Sequence, residues 1–295
     1  MTDVSEPGER HPEPADTVTW RQLWDETADA VGDRQHARWM CEVAGAMDAD
    51  EFASSLADPV MARMVQHLDA MVARRRSGEP LQYVLGSWGF RRLDLAVDRR
   101  VLIPRPETEL VVEAALEVAA RIEAPRTVVD LGTGSGAIGL ALADELPLTG
   151  TTVWITDASL DALDVARANL AGLGRAAQNV RVADGEWFDA LPADVIADVV
   201  VSNPPYVAVG AAELEASVAD WEPASALFAG PDGLDDIRTI VASAPERLAP
   251  GGWLVLEIGA DQGPAVRALL DGQGWSDVEI RPDLAGHDRV ALARR

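Results

Sequence analysis

One cysteine, Cys41, stands in a chain of 295 residues, which excludes an internal disulfide, and no Cys/His cluster has metal-ligand spacing. A buried helical thiol is the expectation for it. No apolar run approaches the roughly 18 residues of a membrane span. The opening MTDVSEPGERHPEPADT lacks the apolar segment of a secretory signal, so a cytoplasmic protein is expected. Positive charge is scarce, with 25 Lys and Arg against 49 Asp and Glu and a formal charge of −24. Nucleic-acid binding draws affinity from neutralising phosphates, so this balance disfavours DNA as a partner. One stretch runs the other way: Arg74, Arg75, Arg76, Arg91, Arg92, Arg99, Arg100 and Arg105 face only Glu79, Asp94 and Asp98. It reads as a local basic surface or as a solvated face that offsets the surrounding acid.

What is present is an ordinary globular composition, 48% apolar and 25% charged. Residues 1–16 hold Pro, Glu and Asp with almost no bulky apolar side chain, so burial cannot offset the entropy of ordering and a disordered tail is expected. Across 17–78, apolar residues recur at helical spacing, as in Trp20, Leu23 and Trp24, then Trp39, Met40 and Val43, then Met64, Leu68 and Met71. This predicts a small helical domain. Residues 79–106 change to GSWGF, the alternating LDLAV and VLIPRP, which predict a hairpin linker. Thr108, just after Pro104 and Pro106, is placed to cap the next helix. From 107 to 295, the apolar runs TVVDL, TVWIT, NVRVA, ADVVVSN and WLVLEI are interleaved with helical patterns. Such runs mark parallel strands covered by helices on both faces, so the expected fold class is a doubly wound α/β domain. The last two runs, VEIRP and DRVALA, have only DLAGH between them and predict a terminal antiparallel hairpin.

Two motifs carry chemistry. The first is DLGTGSGAIG, between a strand and a helix, where Gly132, Gly134 and Gly136 allow a tight turn and close approach of a ligand to the backbone. Asp157, at the end of the next strand, stands where an acid accepts hydrogen bonds from ribose hydroxyls. This pair suits S-adenosylmethionine and NAD equally. The second is Asn203-Pro204-Pro205-Tyr206, directly after the run ADVVVSN, at the strand end that faces the ligand crevice in an open α/β sheet. Two prolines rigidify the turn and remove two donors. What remains is a set of acceptors, the Asn203 side-chain oxygen and the proline carbonyls, with the flat ring of Tyr206 beside them. Such a set suits a planar substrate with an NH₂ group, whose hydrogens it holds and whose nitrogen lone pair it directs at an electrophile.

Asn-Pro-Pro-Tyr resembles the corresponding segment of amino-methyltransferases that modify adenine, cytosine or glutamine nitrogens. PLQYVLG, IPRPETE, DLGTGSG, TDAS, EWF, NPPY, WEPASAL, APGGWLVLEIG and DLAGHDRV together resemble the bacterial peptide chain release factor N5-glutamine methyltransferases from residue 79 onward. The resemblance implies a seven-stranded Rossmann-like methyltransferase domain, a helical N-terminal domain that docks the release factor, and transfer of a methyl group from S-adenosylmethionine to the glutamine N5 of a Gly-Gly-Gln segment. On matching positions it implies that Gly132, Thr133, Gly134, Ser135 and Gly136 contact the methionine part of the cofactor, Asp157 its ribose and Trp187 its adenine. Asn203 is also implied at the cofactor, and Asn203, Pro204, Pro205 and Tyr206 bind the glutamine, with Asn203, Pro204 and Tyr206 as its catalytic members and Tyr206 on the amide plane. No metal is implied, and a monomer is expected. The family's leucine-rich first helix is replaced here by HARWMCEVAGA. A DNA adenine N6-methyltransferase shares the glycine loop and NPPY and is the alternative, against which the charge of −24 weighs.

Overall fold

The computed structural model describes residues 18–211 and 216–295, so the tail expected at 1–16 lies outside the described residues. The chain divides into two compact units after Leu85. The first holds α1 (Trp20–Val31), α2 (Arg34–Gly45), α3 (Ala49–Ser54), α4 (Ala62–Arg76) and α5 (Leu81–Leu85). Thr19 with Gln22 and Asp48 with Glu51 form capping boxes that start α1 and α3, and Asp33 caps α2. The apolar stripes converge on Trp20, Leu23, Met40, Phe52, Leu68 and Met71, all buried. Trp20 and Trp24 meet the Phe52 ring edge-on, with centroids at 6.0 and 5.8 Å. Cys41 is buried there as expected, and burial pushes its thiol up to about 12, which keeps it protonated and unreactive.

The second unit opens on an antiparallel hairpin, β1 (Ser87–Phe90) and β2 (Leu93–Ala96). It continues with α6 (Thr108–Ala119), β3 (Arg126–Leu131), α7 (Ala137–Glu145), β4 (Thr151–Asp157), α8 (Leu160–Gly172), β5 (Val180–Asp184) and β6 (Ala197–Ser202). After α9 (Ala216–Trp221) and α10 (Asp235–Arg247) come β7 (Leu248–Glu257), α11 (Gly263–Gly272), β8 (Ser276–Pro282) and β9 (Asp288–Arg294). The seven-stranded sheet has the order β5-β4-β3-β6-β7-β9-β8. β5, β4, β3, β6 and β7 pair in parallel, while β9 runs antiparallel to both β7 and β8. The run DRVALA is thus the strand that joins the sheet, and VEIRP is its edge. Val128, Val199 and Val255 face a core shared with α6, α7 and α8; Val129, Val200 and Leu254 face one shared with α10 and α11. This is the doubly wound α/β class, with its topological switch where β3 lies between β4 and β6.

The segment expected as a linker, 79–106, divides differently. Its residues 81–85 form α5 of the first unit, while the hairpin packs into the second. Phe90 and Leu95 are buried in the core with α6 and α7. Arg91 forks onto Glu145 at 2.5 and 2.9 Å, and Asn169 of α8 both donates to the Ala96 carbonyl and accepts from its N–H. The arginines of 74–105 are largely matched by acids rather than gathered into a basic face. Arg74 pairs with Glu79, Arg92 with Asp144, Arg100 with Asp98 and Arg105 with Glu222.

Candidate active site

The glycine loop leaves the carboxyl end of β3 and enters α7. Gly132 and Gly134 have φ of +67° and +57°, in the left-handed region that L side chains rarely adopt. The Gly134 N–H donates to Asp157 Oδ2 at 2.9 Å, and the Ser159 N–H donates to Oδ1 at 2.8 Å. Burial pushes the Asp157 carboxyl above the usual carboxylate range, and these backbone donors oppose the shift. Asp130, fully buried beneath the loop, accepts from the Thr133 hydroxyl at 2.5 Å and the Gly139 N–H at 2.8 Å. Burial raises its pKa to about 7 despite these donors.

Trp187 begins a short 3-10 turn with φ of +45°. A bulky residue held there marks a strained backbone, common where a side chain is aimed at a function. Its indole lies over Gly132, where an added Cβ would come within 3.4 Å of the ring. Together these groups bound a cavity of about 450 Å³, within the range of small-molecule sites. Gly132, Gly134, Asp157, Trp187, Asn203 and Pro205 all line it. Thr133 and Ser135 are instead buried in the loop, with the Thr133 hydroxyl on Asp130, and neither they nor Gly136 reach the cavity wall.

The turn after β6 spreads its residues in different directions. Asn203 is half-buried and donates through Nδ2 to Thr108 Oγ1 at 3.3 Å, which leaves Oδ1 as the acceptor its other side presents. Thr108 therefore does not cap α6: the cap position is Glu107, without a side-chain hydrogen bond. Pro204 is buried and Pro205 borders the cavity. Tyr206, expected to lie on the substrate plane, is not among the residues that line this cavity. Its ring packs on the core shared with α10 and α11, and its hydroxyl donates to Glu257 Oε1 at 3.1 Å. Burial and the neighbouring Glu257 charge push the Tyr206 phenol up, so it remains a donor. The Tyr206 carbonyl accepts from Gln262 Nε2 at 3.0 Å.

Several contributors gave no sign in the sequence. Glu222, with its side chain 1% exposed, accepts from Arg105 at 2.5 Å and from the Ile103 N–H at 3.1 Å, tying 103–105 to 222–226. Val101 and Leu102 from one of these segments and Pro223 and Ser225 from the other line the cavity. Glu222 sits in WEPASAL, a segment visible by resemblance alone; its partners stand over a hundred residues away.

Comparison with known proteins agrees with this geometry. A family profile described as Methyltransferase small domain matches residues 108–220, and one described as PrmC N-terminal domain matches residues 26–86. The chain is 47% identical over 230 residues to the release factor glutamine methyltransferase of Neisseria gonorrhoeae, covering 78% of this chain and 81% of that one. It is 48% identical over 229 residues to the release factor glutamine methyltransferase of Pseudomonas aeruginosa, covering 78% and 80%. Among solved structures, the hMettl16 catalytic domain in complex with MAT2A 3'UTR hairpin 1 shares the fold with a TM-score of 0.52 at 17% identity, covering 78% of this chain and 79% of that one.

Proposed function

The chain belongs to the release factor glutamine methyltransferase family, and on that premise we propose how its own residues carry out transfer of a methyl group from S-adenosylmethionine to the N5 amide nitrogen of the glutamine in the Gly-Gly-Gln segment of a peptide chain release factor. The observation that carries the site assignment is that Asn203, on the turn after β6, and Asp157, anchored by the glycine-loop N–H, border one cavity. The cavity fits the cofactor. Gly132 and Gly134 expose backbone, Asp157 keeps free lone pairs for vicinal hydroxyls, and the Trp187 indole offers a flat apolar face to an adenine ring. Thr133, Ser135 and Gly136 shape the loop from behind rather than by touching the ligand.

An amide nitrogen is a poor nucleophile because its lone pair is delocalised into the carbonyl. S-adenosylmethionine, when bound, supplies an electrophilic methyl group whose sulfonium leaves as a neutral thioether. Positioning therefore carries most of the catalysis. Asn203 Oδ1 and the Pro204 carbonyl accept the two amide hydrogens, turn the nitrogen lone pair toward the cofactor cavity and stabilise the positive charge that grows on nitrogen. The methylated nitrogen, strongly acidic in that state, then loses one of these protons to water. Pro205 forms part of the cavity wall, and Tyr206 holds the turn through its hydroxyl and carbonyl. A lysine base is ruled out, since the chain has no lysine.

The first unit docks the release factor, and the second performs the chemistry. The enzyme acts as a cytoplasmic monomer and does not take DNA as substrate. The charge of −24 supports the last point, and among the described residues no helix is long and apolar enough to cross a membrane. The test of the site assignment is Asn203→Ala, assayed on an unmethylated release factor. The expected rate loss exceeds about tenfold, or ~1.4 kcal/mol of barrier, with cofactor affinity little changed. A variant that keeps more than about a tenth of the wild-type rate overturns the role given to Asn203.

A further inference from the structure

Behind the Asn203 turn lies a buried polar cluster of which the chemistry above uses only Tyr206. Thr108, the first residue of α6, is 3% exposed, and Glu257, at the carboxyl end of β7, is 1% exposed. The Thr108 hydroxyl accepts from Asn203 Nδ2, so its own proton must go to another acceptor. Glu257 Oε1 takes the Tyr206 hydroxyl, and Oε2 is the oxygen with no closed hydrogen bond. Burial pushes the Glu257 carboxyl above the usual carboxylate range, and the Thr108 and Tyr206 hydroxyls and the Arg289 charge oppose that shift.

We infer that Thr108 and Glu257 are positioning residues of the methyl transfer, which fix the Asn203 amide with its oxygen toward the substrate and fix Tyr206 beside it. The inference rests on the assignment of Asn203 as the acceptor of the glutamine NH₂. A terminal amide can rotate by half a turn with little steric change, because its two ends are nearly the same size. In the flipped state Asn203 would present its NH₂ to the substrate NH₂, two donors with nothing to accept. Thr108 alone would not prevent this, since a hydroxyl can donate as readily as accept. Glu257 breaks the symmetry. In its ionised form, which the Tyr206 hydroxyl and Arg289 support, it accepts only, so it draws the Thr108 proton toward itself and leaves the hydroxyl oxygen to receive Asn203 Nδ2. Donation then runs from Asn203 to Thr108 to Glu257, and from Tyr206 to the other carboxylate oxygen. Gln262 completes the support by holding the Tyr206 carbonyl. A buried carboxylate is expensive to maintain, and a structural role alone would be met by an apolar pair of the same volume.

The test compares Thr108→Val, Thr108→Ser and Glu257→Gln in the full chain, measuring kcat and KM for the release factor and Kd for S-adenosylmethionine. Thr108→Val removes both the acceptor and the donor at constant volume. Glu257→Gln keeps one acceptor and turns the other position into a donor. Each is expected to lower kcat by about 10- to 100-fold, with the cofactor Kd within about twofold of wild type. Thr108→Ser restores the hydroxyl and is expected to retain kcat within about threefold. Adding Thr108→Val to Asn203→Ala should bring little further loss, because the brace acts through Asn203. Thr108→Val with wild-type kcat overturns the inference, and so does a loss of kcat matched by an equal loss of cofactor affinity, or a Ser variant as impaired as the Val variant. If Asn203→Ala itself retains activity, the assignment of Asn203 fails; if Asn203→Ala is inactive and Thr108→Val is fully active, the brace alone fails.

Discussion

Most of the cofactor half of the site is assembled within one β-α-β passage, β3 to β4, where the Gly134 N–H meets Asp157 at a separation of 23 residues beside Gly132, with Trp187 added from beyond β5. The substrate half is joined across the whole unit by side chains. Asn203 meets Thr108 at a separation of 95 residues, Tyr206 meets Glu257 at 51, and Arg105 meets Glu222 at 117. A ribose and a methionine tail need a fixed backbone curve and one acid, which a local motif supplies. An amide substrate needs acceptors held in one orientation, and in a buried setting only further polar groups can hold them.

That contrast predicts separable effects. The largest effect on ligand binding is for Asp157→Ala, which removes the ribose acceptor and the partner of the Gly134 and Ser159 N–H groups. The Kd for S-adenosylmethionine, read by calorimetry, should rise about 30-fold, ~2 kcal/mol, with kcat at saturating cofactor within about threefold. A fall in kcat alone would mean that the two halves are not distinct. Glu222→Ala comes next. It leaves the Ile103 N–H without its acceptor and Arg105 without its counter-ion, so denaturant unfolding should report a loss of about 1–2 kcal/mol, with both substrates bound more weakly. Unchanged stability would show that the tie between 103–105 and 222–226 contributes nothing.

A pH dependence of stability within the cofactor half stands apart from these two. The folded pKa of Asp130, about 7, lies above its ordinary value of 3.8, so its contribution to stability is present in full below that ordinary value. It is lost as pH rises through about 7. Asp130→Asn cannot ionise, so the stability of the wild type relative to this variant should fall between these two values and level off above them. A flat difference across that window would contradict the raised pKa.

Legibility in the sequence follows the same divide. The glycine loop, Asp157 and the NPPY turn were readable because each is a short string with its own local geometry, and the parallel strands because both of their faces are apolar. Three features were not. Thr108 looked like a helix cap, since a threonine after two prolines and before an apolar helix has that pattern, yet its hydroxyl is spent on Asn203. The partner of the Tyr206 hydroxyl was hidden because Glu257 stands in an apolar strand run where nothing marks it as polar machinery. The hairpin read as a linker because its contacts, Arg91 with Glu145 and Ala96 with Asn169, lie 54 and 73 residues downstream.

The central claim is that the NPPY turn delivers a glutamine amide to the cofactor cavity. Its most direct measurement is incubation of the enzyme with S-adenosylmethionine and an unmethylated release factor, with duplex DNA in parallel, followed by mass mapping of every added methyl group. The account predicts a single methyl on the glutamine of the Gly-Gly-Gln segment and none on DNA; methyl transfer to DNA adenine with the release factor left unmodified would contradict it.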